Sequence, residues 1–198
     1  MSDSAAATGD HFSRQAERYA ESLPHATDAD LDIIAAFAEP GLYDFCLDVA
    51  TGPGHTAMRL APRAVLVVGI DIAGGMLATA RRLAGERGHD NILFQHGDAC
   101  AMPFADACFD LVTCRIAPHH FADIAGFVRE TARVLKPGGR FIVEDSLAPE
   151  DAEAAAFLHR LEVRRDPTHV RSLNAAGWHE AIEGAGLALV ERVHQLVA

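Results

Sequence analysis

Six short apolar, β-branched or aromatic runs punctuate the chain, at Phe45–Ala50, Ala64–Ile70, Ile92–Gln95, Phe109–Arg115, Arg140–Glu144 and Leu187–His194. Most are continuous rather than alternating, as expected for strands buried on both faces of a parallel sheet. Between them lie segments with helical spacing: Gly75–Glu86 carries Met76, Leu77, Ala80 and Leu83, and Ile124–Leu135 carries Ile124, Phe127, Val128 and Val134. Asp123 suits the N-cap of the second helix, and Pro137-Gly138-Gly139 reads as its stop. Further helices are expected at Ala29–Ala38, Glu150–Arg164 and Asn174–Gly184. Strand and helix in repeated alternation specify an α/β fold, a doubly wound and mostly parallel sheet with helices on both faces.

Length and charge narrow the function. At 198 residues the chain fits one domain, residues 1–198, and 28 acidic against 17 basic residues leave a net charge of -11. That balance argues against nucleic acid, whose phosphates need a basic face. No apolar run approaches the roughly 20 residues of a membrane helix, and Met1-Ser-Asp-Ser opens no secretory signal. Four cysteines without a CxxC pair read as reduced thiols in a cytoplasmic protein. The expected partner is a small molecule; the oligomeric state is left open.

In such folds ligands bind beyond the carboxyl ends of the strands. The first strand ends Leu47-Asp48-Val49-Ala50-Thr51-Gly52-Pro53-Gly54-His55-Thr56-Ala57, so Gly52-x-Gly54-x-x-Ala57 meets a nucleotide-binding fingerprint. Asp71 follows at the end of the second strand, where a carboxylate accepts from both hydroxyls of an adenosine ribose. Pro53 removes one backbone donor that a diphosphate would use. Asp48 would repel a diphosphate and attract a cation. The loop therefore suits adenosine joined to something positive. Asp98, in Gly97-Asp98-Ala99, sits at the mouth of the third strand, where it either accepts from an adenine amine or closes an Asx-turn.

These motifs, with Val68-Gly-Ile-Asp71-Ile72, Phe109-Asp110 and Leu135-Lys-Pro-Gly-Gly-Arg-Phe141, resemble the class I S-adenosylmethionine-dependent methyltransferases. The likeness is to the small-molecule group that includes the ubiquinone/menaquinone C-methyltransferase-like (methyltransferase type 11) enzymes, and it runs from about Phe12 to the C-terminus. It implies a Rossmann-like fold and S-adenosylmethionine as cofactor, released as S-adenosylhomocysteine, with no metal. It places Asp48, Ala50, Thr51, Gly52 and Gly54 along the methionine part, Asp71 on the ribose, Ile72 and Met76 beside the adenine, and Asp98 with Ala99 on its edge. Tyr19 matches an N-terminal segment that closes over the cofactor, where its ring suits a sulfonium. Arg115 is a candidate partner for the cofactor carboxylate. The resemblance divides the chain into an N-terminal helical cap (1–40), a cofactor-binding core (41–146) and substrate-side helices with the last strand (147–198). The resemblance also implies a seventh, antiparallel strand, which this chain is expected to lack.

Two histidines follow the fourth strand, where the reacting methyl group should project. His119 and His120 are the catalytic candidates, since an imidazole titrates near working pH and can serve as a general base. His120, farther from Pro118 and next to Phe121, is the preferred one. The basic run Arg164–Arg171 either lines a pocket for an acidic substrate or offsets the acidic helix before it. Two other functions fit the pattern. One is a nucleotide-dependent oxidoreductase, although the chain has no Tyr-x-x-x-Lys pair. The other is a cofactor-binding module without catalysis.

Overall fold

In the computed structural model, which describes residues 3–21, 29–39, 41 and 44–191, five parallel strands form one sheet in the order β3-β2-β1-β4-β5. They are β1 (Phe45–Val49), β2 (Leu66–Asp71), β3 (Ile92–His96), β4 (Phe109–Arg115) and β5 (Leu135–Glu144). The helices are α1 (Asp3–Glu21), α2 (Ala29–Ala38), α3 (His55–Leu60), α4 (Gly74–Glu86), α5 (Ile124–Val134), α6 (Ala152–Arg165) and α7 (Ala175–Gly184).

The continuous apolar runs serve both faces of the sheet. Leu47, Val49, Val68, Ile70, Val112 and Cys114 pack with Phe127 and Val128 of α5 and Trp178 and Ile182 of α7. The residues between them, Cys46, Val67 and Leu111, meet Ala38 of α2 and Ala57 and Leu60 of α3 on the opposite face. Fully buried side chains such as Phe127 and Leu47 each contribute about 1.5–3 kcal/mol relative to exposure. Helix starts follow the sequence signals. Asp123 caps α5 by accepting from Gly126 N–H at 2.8 Å, and Asn174 caps α7 by accepting from Gly177 N–H at 2.9 Å.

β1 is central, and the chain winds one way through β2 and β3 and the other way through β4 and β5. The reversal opens a crevice between the carboxyl ends of β1 and β4. Both strands leave the sheet through a residue held at positive φ: Ala50 at 53° and Ile116 at 50°. Asp110, from the Phe109-Asp110 motif, sits far from that crevice at the other end of β4. It accepts from the Phe45 backbone N–H at 2.9 Å and from Lys136 Nζ at 2.7 Å, tying β1, β4 and β5 together.

Three sequence expectations change. Helix α5 ends at Val134 and β5 begins directly at Leu135, so Pro137-Gly138-Gly139 lies inside a strand. An edge strand tolerates proline there, and the pairing with β4 is irregular between Phe109 and Leu111. The expected strand at Leu187–His194 is absent over Leu187–Glu191, where Val190 is 94% exposed; residues 192–198 lie outside the described ones. Among the described residues of the expected N-terminal cap, those bordering the crevice belong to α1. α2 packs on the far face, where Arg59 binds Asp32 at 2.8 Å.

Candidate active site

A cavity of ≈ 510 Å³ opens at the crevice. It is lined by Tyr19, Asp48, Ala50, Thr51, Gly52, Asp71, Ile72, Met76, Asp98, Ala99, Arg115, His119 and His120. Every site residue expected from the sequence is thus gathered there except Gly54.

Gly54 faces away. A Cβ on it would stand 2.9 Å from the Phe94 ring and 3.2 Å from Ala80, and its φ is 86°. Its glycine identity answers to packing behind the loop and to backbone conformation. Gly52 is the reverse case. A Cβ there would meet no atom within 4 Å, so the glycine keeps open a space that no protein group fills.

The loop between β1 and α3 is fastened by two acids. Asp48 is buried at the end of β1, with Oδ2 accepting from Thr51 Oγ1 at 2.6 Å and Oδ1 from Thr113 Oγ1 at 2.9 Å. Burial pushes its carboxyl up to about 6, while the two hydroxyls and the Arg115 charge pull the other way. Asp71 accepts from Gly52 N–H and from Ala73 N–H, each at 2.8 Å. Burial raises its pKa as well, and the backbone donors offset part of that rise. Asp98 accepts from Cys100 N–H at 2.9 Å, so it does close an Asx-turn, yet it still lines the cavity.

α1 forms the roof. Phe12, Ala16 and Tyr19 pack with Ala73 and Met76. Close approach is secured by Gly75, whose added Cβ would stand 2.5 Å from Ser13 O, and the Ser13 hydroxyl accepts from Gly75 N–H at 3.1 Å. The Phe12 ring meets Tyr19 edge-on at 5.8 Å and His120 at 4.9 Å.

The histidine turn closes the other end. His120 Nδ1 lies 3.1 Å from both Thr168 O and Thr168 Oγ1. Burial, with His119 beside it, pushes its pKa down to about 4. His119 Nδ1 lies 2.5 Å from Asp145 Oδ1, and its ring stacks on His169 at 5.4 Å. Asp145 escaped the sequence reading although it immediately follows β5, where the strand-end rule applies. His169 and Thr168 belong to the basic run. Arg165 of that run lines the cavity and also pairs with Glu162 at 2.5 Å. Cys100 and Cys108 are half-buried with raised thiol pKa values, Cys100 to about 11, which makes them poor nucleophiles. Among the described residues no group of three or more His, Cys, Asp or Glu is arranged to hold a metal.

The residues present fit S-adenosylmethionine. The space kept open at Gly52 lies beside the cavity-lining carboxylates of Asp71 and Asp48, acceptors of the kind that a sugar hydroxyl and a cation suit.

Residues 47–143 match the methyltransferase domain family, and the chain belongs to the S-adenosylmethionine-dependent methyltransferases. It is 40% identical over 177 residues to the uncharacterized methyltransferase YcgJ of Bacillus subtilis (strain 168), covering 89% of this chain and 70% of that protein. The YcgJ crystal structure superposes with a TM-score of 0.78, over 80% of this chain and 68% of that one. The demethylmenaquinone methyltransferase of Thermus thermophilus is 42% identical over 121 residues, 60% of this chain and 54% of that enzyme. The fold alone is shared with a Haemonchus contortus phosphoethanolamine N-methyltransferase solved with S-adenosylhomocysteine, at 23% identity and a TM-score of 0.71, over 82% of this chain and 37% of that one.

Proposed function

We propose that the chain methylates a small acceptor bearing an ionisable hydroxyl, on oxygen or on the carbon that the hydroxyl activates, with His119 as general base. The observation that carries this is shared space: His119 and His120 line the same cavity as Gly52, Asp71 and Asp98. When bound, S-adenosylmethionine supplies an electrophilic methyl carbon on a positively charged sulfur. In this proposal Asp71 holds the ribose hydroxyls, Ile72 and Met76 flank the adenine, and Asp98 with the Ala99 backbone reads its edge. Asp48, Ala50, Thr51, Gly52 and Arg115 surround the methionine part, and Tyr19 presents its ring from α1. Gly54 shapes the loop from behind. His119 takes the acceptor proton; it is preferred to His120, whose conjugate acid burial disfavours. In the same reading the described part of residues 41–146 binds the cofactor, α1 covers it, and Arg165 and Asp166 of the segment 147–198 stand on the acceptor side.

A quinol-type acceptor is favoured by the name of the Thermus relative. A small molecule rather than nucleic acid is favoured by the net charge of -11, and a reducing, cytoplasmic setting by four free cysteines. Calorimetric titration with S-adenosylhomocysteine and with reduced nicotinamide dinucleotide tests the cofactor, and turnover of 1,4-dihydroxynaphthalene, catechol and ethanolamine tests the acceptor. The homocysteine ligand should bind, and the two hydroxylated rings should be methylated in preference to the amine. Binding of the dinucleotide alone would instead indicate an oxidoreductase. Binding of the homocysteine ligand without any turnover would indicate a module that holds cofactor only.

A further inference from the structure

We infer that Asp145 is a positioning residue: it holds His119 as the Nδ1–H tautomer and so presents the Nε2 lone pair to the acceptor. This rests on the proposal that His119 is the base. The sheet itself makes the pair. Arg115 of β4 lies in register with Glu144 of β5, and Ile116 N–H donates to Glu144 O at 2.8 Å. The turn after β4 and the residue after β5 therefore emerge side by side, which brings the His119 ring to Asp145 across 26 residues.

Burial makes the assignment specific. The Asp145 side chain is 1% exposed and that of His119 8% exposed. Asp145 Oδ2 is buried and has no hydrogen-bond partner among the described residues, so the imidazole is the one group that satisfies this carboxylate. A buried carboxylate without a donor is costly. An ionised one can only accept, which requires the hydrogen on Nδ1. Nε2 is then the lone-pair nitrogen, and no hydrogen-bond partner for it exists among the described residues.

The ring has little freedom to rotate out of this arrangement. His169 stacks on it at 5.4 Å, His120 stands 4.1 Å away, and His119 O accepts from Val170 and Arg171 N–H at 2.9 and 3.1 Å. The titratable groups facing the pair are His120 from the same turn, His169 from the segment after α6, and Cys114 from β4. The Cys114 thiol is pushed well up by burial and stays neutral. Asp166 acts on His120, and Glu162 and His159 act on His169. Asp145 does not itself line the cavity. Its effect on an acceptor must pass through His119.

The bland alternative is a pin that merely joins two chain ends. Nitrogen-15 correlation spectra of the imidazoles, recorded on the ligand-free protein, distinguish the two. The parent should show His119 protonated on Nδ1 and bare on Nε2. Asp145→Asn, which keeps size and removes charge, should erase that signature, and Asp145→Glu should restore it in part. With 1,4-dihydroxynaphthalene, Asp145→Asn should lower kcat by about 10²-fold and leave S-adenosylhomocysteine affinity unchanged. A parent spectrum with the hydrogen on Nε2, or an Asp145→Asn spectrum like the parent's, overturns the inference whatever the activity. So does an Asp145→Asn variant with parental kcat beside a crippled His119→Ala. If His119→Ala also keeps parental kcat, it is the base assignment that fails, and a shifted spectrum would still establish the hold of Asp145 on the ring. Melting curves of all three variants separate these results from unfolding.

Discussion

The Asp71 carboxylate accepts the Gly52 backbone N–H at 2.8 Å, so the acid closing β2 also fixes the turn that leaves β1. In the proposed site one side chain therefore serves loop order and ligand contact together. Asp71→Ala removes an acceptor from two backbone donors and from any ribose hydroxyls, at roughly 1.5–3 kcal/mol for each bond to a charged group. Asp98→Ala loses one turn bond and the one adenine contact proposed for it. Calorimetry should show S-adenosylhomocysteine affinity falling further in Asp71→Ala than in Asp98→Ala, with the larger drop in melting temperature also in Asp71→Ala. Equal losses would remove the ribose assignment.

Asp48 gives the site a defined pH response. Its folded pKa, about 6, lies above the unfolded value, so the folded state holds a proton that the unfolded chain releases. Its contribution to stability is therefore full below about pH 4 and is lost as pH rises to about 6, a change on the order of 3 kcal/mol. His120 acts in the opposite sense. Its folded pKa, about 4, is depressed, so its contribution is present above about 6.5 and lost as pH falls towards 4. Asp48→Asn should remove the first slope and leave the second, visible as a melting temperature that climbs more steeply between pH 4 and 6 than the parent's. Affinity for S-adenosylmethionine should weaken below pH 6 in the parent and stay flat in the variant, since a cation binds the ionised acid.

His119→Ala should reduce turnover by about 10²–10⁴-fold without a matching loss of cofactor affinity. His120→Ala should cost less than about tenfold and act chiefly through the Phe12 contact and Thr168. Rates, affinities and melting temperatures of both variants decide the assignment. A larger kinetic loss in His120→Ala would reverse it.

Gly75→Ala tests the roof. The added methyl group would stand 2.5 Å from the Ser13 carbonyl oxygen, so α1 must shift from α4. Helix propensity alone would make this change stabilising by about 0.5–1 kcal/mol. Cofactor affinity should nevertheless fall several-fold as Phe12 and Tyr19 move. Unchanged affinity would show that α1 contributes nothing to binding.

Strand ends were legible in the sequence because a strand buried on both faces announces itself as an unbroken apolar run. β1, β2 and β4 agree with their expected bounds within two residues at every end for that reason, and β3 does so although it is an edge strand with Leu93 57% exposed. Pro137-Gly138-Gly139 misled because those residues break helices, and an edge strand has no neighbour to miss the proline N–H. The run Leu187–His194 misled over its described part, Leu187–Glu191, because an apolar run has the same composition whether or not a partner strand exists for it. In the site, Gly54 fitted the fingerprint for a reason the pattern does not encode, its contact with Phe94 on β3. Asp145 stayed hidden because its role depends on a register between β4 and β5 that local spacing does not reveal.

The same Gly54–Phe94 contact has a thermodynamic consequence. The turn after β1 is held from the cavity side by Asp71 and from the helix side by a ring on β3, with Thr51 tethered to Asp48 between them. Its conformational entropy is surrendered when the domain folds, before any ligand arrives, so association finds a preorganised surface and keeps more of its contact energy as affinity. If the proposed site holds the cofactor, a residue on β3 that does not line the cavity thereby tunes how tightly it is held.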